Sequence, residues 1–149
     1  MKNRRLIAVF AALALIVILA AAWHLSTRRE VPSGSLLVQH DDRDLPVRIS
    51  DLSPVRVQGE IVNGKGETLP VDASGVLVSD ILKNAGVTEF SALTAIASDE
   101  YRALLAAEEI LEPDKVWLTV EEDGSLRLIV FGDPDSKRNV TGVERMEVQ

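Results

Sequence analysis

VRVQGEIVNGKGETLPV, residues 55–71, carries the alternation that decides the fold. Val55, Val57, Gly59 and Ile61 alternate with Arg56, Gln58 and Glu60, the two-residue period of a half-buried strand. Asn63-Gly64-Lys65-Gly66 supplies turn residues suited to positive φ, and Glu67 to Val71 returns as the second arm of a hairpin. Beyond it Asp72-Ala73-Ser74-Gly75 reads as a break, and residues 76–87, VLVSDILKNAGV, as a short helix. In that helix Val76, Leu77, Ile81, Leu82 and Ala85 share one face, Ser79 and Asp80 fall in the first turn, and Gly86 stands at the carboxy-terminal cap.

The same reasoning extends in both directions. Leu36 to Gln39 reads as a first strand, His40 to Asp44 as a charged loop, and Leu45 to Leu52 is ambiguous. Leu93 to Ala97 is a strand candidate. From Tyr101 to Leu111 two readings stand: a helix on propensity, or a strand to Ala106 with a brief helix over Glu108 to Leu111. Val116–Val120 and Leu126–Val130 flank the turn Glu121-Glu122-Asp123-Gly124 as a second hairpin. Val143 to Val148 is the last strand, with Val143, Arg145 and Glu147 on one face and Glu144, Met146 and Val148 on the other. The pattern predicts an α+β class, a mostly antiparallel β domain with one or two short helices, preceded by one transmembrane helix.

That transmembrane helix is LIAVFAALALIVILAAAW, Leu6 to Trp23, without a charge, a Gly or a Pro. As a helix it measures roughly 27 Å, close to the hydrocarbon thickness of a bilayer. Lys2, Arg4, Arg5 and the α-amino group precede it, and Arg28 and Arg29 follow, so the positive-inside rule places the amino terminus in the cytoplasm and the rest outside. Ala20-Ala21-Ala22 also suits a signal peptidase, but the apolar run exceeds the usual signal core of about 7–15 residues, and Trp23 suits an interfacial anchor. The organisation expected is a basic stub (1–5), a signal-anchor (6–23), a tether (24–35) and an extracytoplasmic module (36–149). The location is then the cell membrane, or the periplasm or exterior if the segment is cleaved.

All 23 acids lie in residues 30–149, against 11 of the 16 Lys and Arg, which leaves that part with a net charge of −12. Such a domain is repelled by phosphate backbones, so nucleic acid is not an expected partner. The chain has no Cys. Disulfides, thiolate nucleophiles, zinc thiolate sites and iron–sulfur clusters are thereby excluded. His24 and His40 are its only histidines, one at the membrane edge and one near the tether.

From Gly75 to Val148 the chain resembles the carboxy-terminal half of the molybdopterin-binding domain of the sulfite oxidase family. GVLVSDILKNAGV is similar to that family's G-V-x-L-x-D-L-L-x-x-A-G-V helix, and SDEYRALL stands where it has S-x-D-G-Y-x-A. SLRLIVFGDPDSKRNVTGVERMEV is similar to its P-L-R-L-V-x-P-G…V-x-x-I-x-V ending. The resemblance implies a mixed fold with a mainly antiparallel sheet and, at full length, a molybdenum enzyme. This chain lacks the family's metal-binding Cys, carries Glu100 for the Gly of D-G-Y, and has Phe131 for the Pro before Gly132. A molybdenum centre held by this chain alone is therefore not expected. Residues 55–86 also resemble soluble-ligand-binding β-grasp modules, without the Pro of their V-x-G-x-V-x-x-P-G hairpin.

Four residues are candidates for ligand contact. Asp99 and Tyr101 form the best-matched polar pair, against the alternative of a half-buried strand tyrosine. Arg127 and Arg138 suit an anion, since guanidinium binds phosphate bidentately, although Arg127 alternates with core residues as a solvent-facing strand residue does. Asp133-Pro134-Asp135-Ser136 spaces carboxylates as calcium loops do, but Lys137 and the lack of a downstream Glu make it a turn. The charge runs Glu108–Asp114 and Glu121–Asp123 read as solvated faces. The function expected is a binding or assembly module with no catalysis of its own and no cofactor, with a protein partner or a small ligand. The alternatives are an oxidoreductase component that binds molybdopterin alone or with a partner subunit, and a soluble-ligand-binding module of an envelope complex.

Overall fold

The computed structural model describes residues 2–27, 32–134 and 136–149, with backbone alone over 2–9, 11 and 24–27. The chain divides into two units, Met1–Glu30 and Val31–Gln149. The first is helix α1 (Lys2–Thr27). Its residues Phe10, Leu13, Leu15–Leu19 and Trp23 are exposed. Among the described residues no helix is long and apolar enough to cross a membrane. Of the tether expected over 24–35, residues 28–31 lie outside the described residues. Pro32–Ser35 belongs to the domain instead: Ser35 N–H donates to Pro32 O at 2.9 Å, and Gly34 N–H donates to Gly124 O at 3.0 Å.

The second unit begins with the hairpin β1 (Ser35–His40) and β2 (Arg43–Arg48), then a 3-10 turn, Ile49–Leu52. The ambiguous 45–52 stretch is thus part strand and part 3-10 turn, and the charged loop expected over 40–44 shrinks to Asp41-Asp42, both at positive φ (48° and 58°). The deciding hairpin is present as β3 (Val55–Val62) and β4 (Thr68–Leu77), followed by α2 (Val78–Asn84). Next come β5 (Ala92–Ala97), β6 (Arg102–Ala106), α3 (Ala107–Leu111), β7 (Val116–Val120), β8 (Leu126–Val130) and β9 (Val143–Val148). Of the two readings of 101–111, the strand with a brief helix is the one observed.

These strands form a five-stranded sheet, β2-β1-β9-β5-β6, and a four-stranded sheet, β3-β4-β7-β8. Every pairing is antiparallel except β1 with β9. The principal core joins Leu36, Val38, Leu93, Leu105 and Met146 of the larger sheet to Val76, Leu118 and Leu128 of the smaller, with Ile81 and Leu82 of α2. A second cluster, Val57, Ile61, Val71, Trp117 and Ile129, with Phe131 packed against it, covers the other face of the smaller sheet. Burial on both faces explains the nearly continuous apolar runs of β7 and β8. Gly59 is required there, because a Cβ on it would lie 2.5 Å from Phe131 Cε1.

Three expectations are corrected. Residues 72–75 do not break the chain, and Val76 and Leu77 are strand, not helix: a Cβ on Gly75 would lie 2.8 Å from Leu118 O, so the glycine lets β4 run on against β7. Arg127 is half-buried; its face of β8 is the one covered by the second cluster, since Arg127 pairs with Thr119 and Ile129 with Trp117. Val143 and Met146 are both buried, because the β5–β9 register shifts between Ile96 and Ala97 and the extra residue, Glu144, interrupts the alternation. Gly86 does stand just past α2 at φ 77°, as a carboxy-terminal cap requires.

Candidate functional site

The four candidate residues gather around the loop that joins β8 to β9. Asp99 and Tyr101 belong to the turn between β5 and β6. Glu100 N–H donates to Ala97 O at 3.0 Å and Ala97 N–H to Tyr101 O at 3.0 Å, and Glu100 has φ 66°. This is the three-residue hairpin loop whose last position is left-handed and ordinarily Gly. The residue that departs from the D-G-Y pattern therefore stands where the backbone favours Gly. Asp99 Oδ1 accepts from Tyr101 N–H at 3.1 Å, which closes the turn. Tyr101, 46% exposed, donates its hydroxyl to Lys137 O at 2.9 Å. Ser98 N–H donates to Gly142 O at 2.9 Å, so the hairpin holds the loop at two points.

Arg138 lies inside that loop and is shared by two carboxylates. Its Nε donates to Asp133 Oδ2 at 2.8 Å, its Nη2 to Asp133 Oδ1 at 2.5 Å, and its Nη1 to Glu109 Oε2 at 2.6 Å. The Asp133 side chain is only 5% exposed. The hydrogen bonds that Arg138 donates to Asp133 and Glu109 raise its pKa above the ordinary value. The bond from Arg138, aided by the Ala106 N–H and by Lys115, holds the Glu109 carboxyl below the usual glutamate range in spite of its partial burial. Glu109 is thus an ion-pair partner and not part of a solvated face. Asp135, the second carboxylate of the expected turn, lies outside the described residues.

Arg127 sits on β8, bridged to Thr141 of the same loop. Its Nε and the Nδ2 of Asn139 are buried and meet no acceptor among the described residues. Asn139 Oδ1, by contrast, accepts from Val130 N–H at 2.9 Å, and Val140 and Leu128 exchange backbone hydrogen bonds, so residues 139–141 cover the free edge of β8. Asp99, Tyr101 and Arg138 therefore staple the loop, and Arg127 alone of the four keeps an unmet buried donor. No group of three or more His, Asp or Glu side chains is placed to share a metal ion among the described residues. His40 lies apart, at the β1–β2 turn, in a shallow acidic depression with Asp41, Asp42, Asp44 and Glu147.

Residue periodicity did not reveal the exposed edge beside Tyr101. Arg102, Leu104, Ala106 and Glu108 are exposed at every second position while Ala103, Leu105 and Ala107 are buried, and Leu104 is 60% exposed. The letters RALLAAE do not alternate in polarity, so that exposure is read only from the structure. No family model matches the chain, and no curated protein is similar to it.

Proposed function

We propose that the chain is a membrane-anchored binding or assembly module, without catalysis of its own, carrying a reduced form of the molybdopterin-binding fold of the sulfite oxidase family. Leu6–Trp23 is its anchor, the amino terminus is cytoplasmic, and the domain is held on the outer face. The observation that carries the binding reading is the edge beside Tyr101: Leu104 is 60% exposed on β6, a strand that ends its sheet. A large apolar side chain exposed on an edge strand suits a protein partner. A small-ligand reading, including molybdopterin held alone or with a partner subunit or a β-grasp-type ligand, draws its support from the unmet donors of Arg127 and Asn139.

The test uses the full chain in its own membranes, with a photo-crosslinking side chain at position 104. The expected result is a defined protein adduct in a fraction that resists alkaline extraction. Absence of any protein adduct, together with near-stoichiometric molybdenum and pterin in the purified chain, overturns the binding reading in favour of the cofactor one.

A further inference from the structure

Asn63-Gly64 is the single Asn-Gly pair of the chain; Asn3, Asn84 and Asn139 are followed by Arg4, Ala85 and Val140. The pair opens the turn between β3 and β4. Gly66 N–H donates to Asn63 O and Asn63 N–H to Glu67 O, both at 2.9 Å, and Gly66 is left-handed at φ 79°, which is the three-residue hairpin loop closed by a bulged glycine. The side chain of Asn63 caps this loop. Its Oδ1 accepts from Lys65 N–H at 2.9 Å and from Glu67 N–H at 3.0 Å, and its Nδ2 donates to Glu67 Oε2 at 2.8 Å.

The side-chain amide of an asparagine is open to attack by the backbone nitrogen of the next residue, an intramolecular reaction favoured by proximity. A side chain on that next residue crowds the attack, and glycine has none. Gly64 is exposed, and a Cβ built on it would meet only Ser136 Oγ, at 3.4 Å, so nothing packed on the turn obstructs the ring that must form. Asn84 and Asn139 are less suited. Ala85 brings a Cβ; Val140 is β-branched and buried, and Asn139 Oδ1 is held by Val130 N–H.

We propose that Asn63 is a site of self-driven deamidation in this protein and that Glu67 sets its rate. Gly64 N gives its proton to solvent and bonds to Asn63 Cγ; the Cγ–Nδ2 bond breaks, and Nδ2 takes a proton from solvent and leaves as ammonia. The product is a cyclic succinimide between residues 63 and 64. Water then adds to either ring carbonyl and opens the ring, to aspartate where the bond from Gly64 N to Cγ breaks and to isoaspartate where the bond from Gly64 N to the main-chain carbonyl carbon of residue 63 breaks. The sum is one water consumed and one ammonia released, with no change of oxidation state. The cap opposes the first step, because Cγ has to swing onto Gly64 N while Oδ1 is held by two main-chain donors and Nδ2 by Glu67. Of these three bonds, the one to Glu67 joins two side chains and can be removed without touching the backbone turn. After conversion the residue has no Nδ2 to donate, and a carboxylate faces Glu67 where the amide stood, so the capping bond does not re-form.

The test ages the full chain in detergent at physiological temperature and slightly alkaline pH. Digestion at mildly acidic pH and mass spectrometry then follow the replacement of the amide by a carboxyl in the peptide that carries residue 63, with isoaspartate identified by methyltransferase labelling. Asn63 is expected to convert about tenfold or more faster than Asn84 in the same digest. Gly64→Ala, at a position without positive φ, is expected to slow it by a similar factor. Glu67→Ala is expected to speed conversion about three- to tenfold, as the loss of one hydrogen bond that holds the unreacted amide allows. Glu67→Gln, whose Oε1 still accepts from Nδ2, stays within about twofold of the parent. Conversion of Asn63 no faster than that of Asn84, or unaffected by Gly64→Ala, overturns the site. A Glu67→Ala rate at or below the parent's, or a Glu67→Gln rate equal to that of Glu67→Ala, overturns the control by Glu67 and with it the proposal.

Discussion

Arg138→Met keeps the aliphatic stem and removes the cation from Asp133 and Glu109. Removing one partner from a fully buried pair costs about 3–5 kcal/mol, because a desolvated charge is left without compensation. Here Asp133 is 5% exposed, but Glu109 is 23% and Arg138 28% exposed, and water screens that part of the loss. The expected destabilisation is therefore about 2–4 kcal/mol near neutral pH. Urea unfolding of the full chain in detergent, followed by Trp117 fluorescence in a Trp23→Phe background, measures it as a lower midpoint at unchanged slope. The deficit also depends on pH. The Glu109 pKa is depressed in the folded state from a model-peptide value of 4.5, so its stabilisation is present above that value and is lost as pH falls through the folded one. In the variant the part of that contribution that comes from the Arg138 bond is gone. The gap between parent and variant should narrow below about pH 4.5. A deficit under about 0.5 kcal/mol, or one that does not change with acid, would refute the clamp and return Arg138 to the role of an anion ligand.

Other consequences are smaller. Gly59→Ala puts a Cβ into the Phe131 ring and should cost about 1–3 kcal/mol; adding Phe131→Leu should recover part of it in a double-mutant cycle of urea midpoints. Glu100→Gly removes a left-handed non-glycine residue and only a 3.5 Å exposed ion pair with Arg145, so it should raise stability by about 0.5–1 kcal/mol in the same assay. Tyr101→Phe loses the bond to Lys137 O and should cost about 0.5–1.5 kcal/mol, with faster amide exchange confined to the 136–142 loop.

What the sequence made legible was whatever depends on local pattern. β3, the turn at 63–66, β7, β8 and the cap at Gly86 follow from alternation and turn chemistry over a few residues. Two kinds of feature escaped it. Gly75 looks like a break locally but is a close approach to Leu118 of β7, a partner more than forty residues away. The bulge that turns both Val143 and Met146 inward is likewise set by β5. β8 misled for a related reason: Arg127 in a row of apolar residues suggests a wet face, whereas the sheet is covered on both sides and the second cluster reaches across it.

The candidate site divides along the same line. Residue type identified Asp99, Tyr101 and Arg138 as polar groups worth attention, and the structure does bring them to one loop. Their chemistry, however, is decided by what meets them, and those partners are scattered: a carbonyl at Lys137, a carboxylate at Glu109 on α3, a carboxylate at Asp133 that is nearly inaccessible. A guanidinium already shared by two carboxylates has few donors left for an anion. Holding the β8–β9 loop also fixes residues 139–141 over β8, whereas β6 ends its sheet with Arg102 and Leu104 exposed. The polar residues thus act on recognition indirectly, by closing one edge, and the exposed face of β6 carries Arg102 and Leu104, of which Leu104 is an apolar residue that a search for ligand chemistry passes over.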